Sequence, residues 1–66
     1  MIRHGTIQSI DPVNKTGIIM DSNLQDIEFI LPDEHEFYPG MDVVFVIIIN
    51  SQSGGLIASG VARDAI

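Results

Sequence analysis

The stretch that decides the fold is VVFVIII, residues 43 to 49. Its hydrophobicity alone suits a buried helix or a strand. Six of its seven side chains, however, branch at Cβ, and such residues lose χ1 freedom in a helix and pack well on a pleated surface. The segment therefore reads as a strand, spanning about Met41 to Asn50. Reading outward from it, the chain alternates short apolar segments with turn residues, the pattern of an all-β domain. A first strand is expected over about Ile2 to Ile10, with Ile7 inward, followed by a type I turn at Asp11-Pro12-Val13-Asn14, where proline pre-sets φ. A second covers about Lys15 to Met20 and ends at Asp21-Ser22-Asn23. Gln25 to Leu31 alternates as a third, with Ile27, Phe29 and Leu31 on one face and Glu28 and Ile30 on the other. Pro32 to Gly40 is a charged loop. Ser51 to Gly55 turns the chain into a fifth strand, Leu56 to about Ala62. Five short strands in 66 residues cannot make two useful sheets, so one small five-stranded antiparallel barrel over residues 1 to 66 is expected.

Composition limits the function classes. An apolar fraction of 45% argues for a packed globule, although a chain this short buries only ~60% of its unfolded surface. No apolar run reaches the ~20 residues of a bilayer span, and no secretory leader is visible. With no cysteine, the chain carries neither disulfide nor thiolate chemistry. Together these point to a soluble, cytoplasmic protein. Nine acidic residues against three basic ones give a formal charge of −6, which opposes nucleic-acid binding because phosphates reward clustered Lys and Arg. Arg3, Lys15 and Arg63 form no run.

Several motifs, taken in order, resemble the cold-shock domain, a barrel of the OB-fold type. Gly5-Thr6-Ile7-Gln8 stands where that family has Gly-x-Val-Lys, and Asn14 to Ile19 falls on its Lys-Gly-Phe-Gly-Phe-Ile without a gap. Asp26 to Leu31 falls on Asp-Val-Phe-Val-His-Phe, Gly40 to Val43 on Gly-Gln-x-Val, and Gly55 to Val61 on the closing strand. The resemblance spans nearly the whole chain and implies a module that binds single-stranded RNA or DNA by stacking bases on outward rings. Those rings are missing here. The tryptophan position is Ser9, with Ile10 at the phenylalanine that follows; Thr16 and Ile18 replace the two second-strand phenylalanines. Glu28 and Leu31 replace those of the third strand, and Ile30 replaces the histidine. Gln8 and Asn14 stand for the family's lysines. Ile7, Gly17, Ile19, Ile27 and Phe29 keep the small or apolar character of inward positions.

Base–aromatic stacking is worth ~1–3 kcal/mol per base, whereas a micromolar complex has only about 8 kcal/mol in all. Loss of three rings removes most of that. The first expectation is therefore weak single-stranded nucleic-acid binding over Arg3, Gln8, Ser9, Lys15, Thr16, Ile18, Glu28 and Ile30. Arg3 and Lys15 would supply charge, and backbone contact would come at Thr16-Gly17-Ile18. His4, Phe37 and Tyr38 are further contact candidates, unless the two rings instead close the barrel end.

The alternative is a protein-interaction module, binding a partner or a second copy. If Val43, Phe45 and Ile47 face inward, then Val44, Val46 and Ile48 face out, an apolar stripe of the kind that marks interfaces. Ile18 and Ile30 would add a smaller patch. The competing explanation for the stripe is cover by the N-terminus or by the tail Arg63 to Ile66. Catalysis is the weakest class. Asp33-Glu34-His35-Glu36 carries metal-ligand residue types but no further converging ligand; Gly54-Gly55 precedes a strand and not a helix, so it is no phosphate loop. No cofactor and no membrane association are expected.

Overall fold

The computed structural model describes residues 1–65. Five strands follow in order: β1 (Arg3–Asp11), β2 (Thr16–Asp21), β3 (Asp26–Ile30), β4 (Asp42–Ile49) and β5 (Leu56–Arg63). They close into one barrel in the spatial order β1-β2-β3-β5-β4, with β4 returning to β1. Every expected strand is present, within two residues at either end.

Four of the five seams are antiparallel; β3 and β5 run parallel. The expectation of an antiparallel barrel needs this correction, and the reason is arithmetic. Each antiparallel seam reverses direction, and five reversals around a closed ring cannot return a strand to its own direction. One seam must be parallel, and it is the shortest, joining only Glu28 to Ile57 and Phe29 to Ala58. Parallel pairing is slightly less stable per residue than antiparallel pairing, so confining it to two residues places the unavoidable defect where it costs least.

The interior holds Ile7, Ile19, Ile27, Phe29, Leu31, Met41, Val43, Phe45 and Ala58. Strand parity explains the set: Gly17, Ile19 and Asp21 alternate inward along β2, as Ile27 and Phe29 do along β3. Phe37, from the loop after β3, lies edge-on against Phe29 with centroids 5.6 Å apart and planes at 86°. It closes that end of the barrel, while Tyr38 beside it is exposed.

Two bulges set the parity of the outer face. On β1 the register shifts between Ile7, opposite Ile19, and Ser9, opposite Ile18, leaving Gln8 as the extra residue. Ile10 then stands opposite Gly17 and packs against the core. The expectation that Ile10 lies on the outer face is overturned by this one-residue insertion, which moves every later side chain to the opposite face. Leu31 is likewise buried and cannot stand in for an outward ring. On β5 the shift falls between the Ser59 and Ala62 pairings, beside Gly60 at φ +62°. That left-handed backbone suits glycine.

The first turn is built by one carboxylate. Asp11 Oδ1 accepts the N–H groups of Val13 and Asn14, both at 3.1 Å, and Oδ2 accepts Asn14 Nδ2 at 2.8 Å. The backbone N–H of Asn14, then its side chain, with a lesser contribution from the N–H of Val13, hold the Asp11 carboxyl below its ordinary range against the opposing effect of burial. A depressed folded-state pKa stabilises fully above the unfolded value of about 3.9, and that stabilisation disappears as pH falls through the folded value. The melting temperature of Asp11→Ala is therefore expected below wild type at neutral pH, with the gap closing in acid. A constant gap down to strong acid would contradict the role assigned to the charge.

Candidate interaction surface

The pairing registers show what the outer wall presents, because partners in adjacent strands point to the same side. One row runs Ser9, Ile18, Glu28, Ile57, Ile48 across all five strands. A second contains Asp11, Thr16 and Ile30, and Val46 stands beside Ser59 across the antiparallel β4–β5 seam. Ile18, Ile30, Ile57, Ile48 and Val46 thus lie on the outer wall of four adjacent strands. Ile30 is 62% exposed, Ile48 50% and Val46 37%. The two patches expected separately, on β2–β3 and on β4, meet at Ile57.

The parallel seam has a second consequence. β3 separates from β5 after Phe29, leaving a groove of about 330 Å³ whose lining includes Ile30, Pro32 and Phe37 on one side and Ile57, Ser59 and Val61 on the other. Val44, the third expected member of the β4 stripe, is half-buried, between His4 and Ala62. The described part of the tail does not cover the stripe. Asp64 N–H donates to Asp42 O at 3.0 Å, at the start of β4 and away from Val46 and Ile48. Ile66 lies outside the described residues.

The candidate cations do not converge. Arg3 starts β1 and Lys15 follows its end, so about eight strand residues, or ~26 Å, separate them. Each already faces a carboxylate. Arg3 Nη1 lies 3.5 Å from Oδ2 of Asp21, which is buried and also accepts the N–H groups of Asn23 and Gln25. Lys15 Nζ bonds to exposed Asp33, and His4 Nδ1 lies 3.2 Å from Asp64. Gln8 Nε2 contacts Met20 Sδ. None of the chain's four aromatic residues lies on the β1–β3 outer face: Phe29 and Phe45 are buried, and Phe37 and Tyr38 belong to the loop.

His35 serves that loop. Its Nδ1 accepts the Phe37 N–H at 3.1 Å and its ring stacks on Phe37. Among the described residues, no three His, Cys, Asp or Glu side chains gather into a metal-binding group.

Ile57 is the residue that reading the sequence missed. Its side follows only from the Gly60 bulge and the direction of the β3–β5 seam, and neither shows in local hydrophobic alternation. The β4 parity gives a direct test. Val46→Lys is expected to unfold within about 0.5 kcal/mol of wild type in urea, because its side chain projects outward. Val43→Lys, inward in the same strand, is expected not to fold.

Comparison with known proteins assigns no family: no family model matches the chain, and neither a curated protein nor a solved structure matches it.

Proposed function

We propose that this chain is a non-catalytic barrel of cold-shock type whose outer wall binds another protein in place of nucleic acid. The observation that carries the reading is the set of apolar side chains Ile18, Ile30, Ile57, Ile48 and Val46 on the outer wall of four adjacent strands, interrupted by Glu28. Contiguous exposed apolar side chains, unlike singly scattered ones, mark interaction sites. The order of the motifs supports the cold-shock character, and the missing rings support the change of partner. A formal charge of −6 on so small a surface opposes self-association, so the free barrel is expected to be monomeric by light scattering.

The second reading, weak binding of single-stranded RNA or DNA, is favoured by one feature. Ser9, Ile18 and Glu28 share an outer row where the resemblance implies base stacking. Against it stand Glu28 itself and cations already facing carboxylates at opposite barrel ends.

One pair of measurements separates the two. Labelled oligothymidylate and oligouridylate are titrated at low and moderate salt, and a displayed library of random peptides is selected on the immobilised barrel. Protein binding predicts no oligonucleotide signal, and peptide enrichment that disappears with the folded double variant Ile30→Glu, Ile48→Glu. Salt-sensitive oligonucleotide binding without peptide enrichment would reverse the assignment.

A further inference from the structure

We infer that the partner segment is an extended, basic peptide with alternating apolar side chains, added as a strand beside β5 in the groove left by the parallel seam. This rests on the protein-binding reading and specifies its occupant. β5 runs to Arg63, but its pairing with β3 ends at Ala58, while β4 holds its other side through Arg63. The stretch from Ser59 therefore presents one strand edge with no strand beside it among the described residues. The bulge at Gly60 contributes, since bulges increase local twist and end pairing. An unpaired edge beside an apolar groove is the geometry of strand addition, in which backbone hydrogen bonds give affinity and alternate side chains enter pockets. Here Ile30, Pro32, Phe37, Ile57 and Val61 offer the apolar receptor surface.

Charge selects the occupant. Glu28 stands beside Ile57 at the mouth of the seam. The loop between the groove residues Pro32 and Phe37 carries exposed Asp33, Glu34 and Glu36, and Asp33 alone of the three bonds to Lys15. Among the described residues, no Lys or Arg lines the groove. A second copy would bring another −6 against this rim, and a nucleic acid would bring phosphates. A segment with apolar side chains toward the barrel and Lys or Arg toward the rim complements both surfaces.

The test titrates the ¹⁵N-labelled full chain with a short capped peptide of alternating lysine and valine. Shift changes are expected at Ile30, Ile57, Ser59, Gly60 and Val61. Replacing lysine by glutamate in the peptide should weaken binding about tenfold or more. Successive backbone N–H groups of a strand point to opposite sides. N-methylation of one alternate set should therefore abolish binding, while methylation of the other set should change it less than about twofold. Equal effects of the two sets, shifts outside the groove, or equal binding of the glutamate peptide would overturn the inference. If the lysine–valine peptide fails while the displayed library still enriches peptides lost on Ile30→Glu, Ile48→Glu, this inference falls and the protein-binding reading stands. Failure of both removes both.

Discussion

Gly5→Ala is expected to unfold the barrel under conditions in which the wild-type chain is native. Gly5 lies in β1, opposite Asp21 of β2 and Val43 of β4. An added Cβ would sit 2.6 Å from the Met20 carbonyl oxygen, 2.6 Å from Ile19 Cγ2 and 3.1 Å from Phe45 Cε1. A rotamer change relieves the side-chain clashes only in part, and the carbonyl cannot move without disturbing the β1–β2 ladder. Overpacking costs about 1–3 kcal/mol and sometimes more, and a backbone clash on two seams belongs at the upper end. At roughly 0.05–0.15 kcal/mol per residue, a chain of this size holds only ~3–10 kcal/mol in total. Thermal melting should show loss of the transition or a large fall in its midpoint. Gly17→Ala makes the useful comparison, because the three atoms nearest its added Cβ all belong to the Phe29 ring, at 2.4 to 3.2 Å. Phe29→Leu should partly restore that variant, and no side-chain substitution should restore Gly5→Ala. A wild-type midpoint for Gly5→Ala would contradict the barrel closure described above.

The second large effect is a gain. Introducing Ile18→Phe and Glu28→Phe together is expected to create single-stranded nucleic-acid binding. The two positions face each other across β2 and β3 on the outer row, close enough for successive bases to stack, and the substitution also removes a carboxylate. Two rings at ~1–3 kcal/mol each give ~2–6 kcal/mol, or from about thirty-fold to about twenty-thousand-fold in affinity. Anisotropy of labelled oligothymidylate measures this directly. A folded double variant that binds no better than wild type would mean that the resemblance ends at the barrel and that this wall never had the geometry of a stacking platform.

Much of the fold was legible in local pattern. The β-branched run at 43 to 49, the Ile27–Phe29–Leu31 alternation and the Asp11-Pro12 turn each declare themselves within a few residues, and the inward sides of β2, β3 and the first half of β4 follow from alternation alone. Ile10 escaped because one inserted residue, Gln8, reverses parity, and a bulge leaves no mark in composition. The joining of Ile18, Ile30, Val46 and Ile48 into one wall escaped for another reason. It depends on which strand closes the ring beside which, a long-range property that becomes visible once five reversals are recognised as incompatible with closure. Arg3 and Lys15 looked like a usable pair in sequence. Only the extended course of β1 puts them at opposite ends, and only the folded chain gives each a carboxylate.

The most direct test is methyl NMR of isoleucine- and valine-labelled protein with a neutral paramagnetic cosolute, which broadens methyls within its reach. Broadening is expected at Ile18, Ile30, Val46, Ile48 and Ile57, with Ile7, Ile19, Ile27 and Val43 protected. Protection of Val46, Ile48 and Ile57 to the same degree as the interior methyls would contradict the open apolar wall and the binding role built on it.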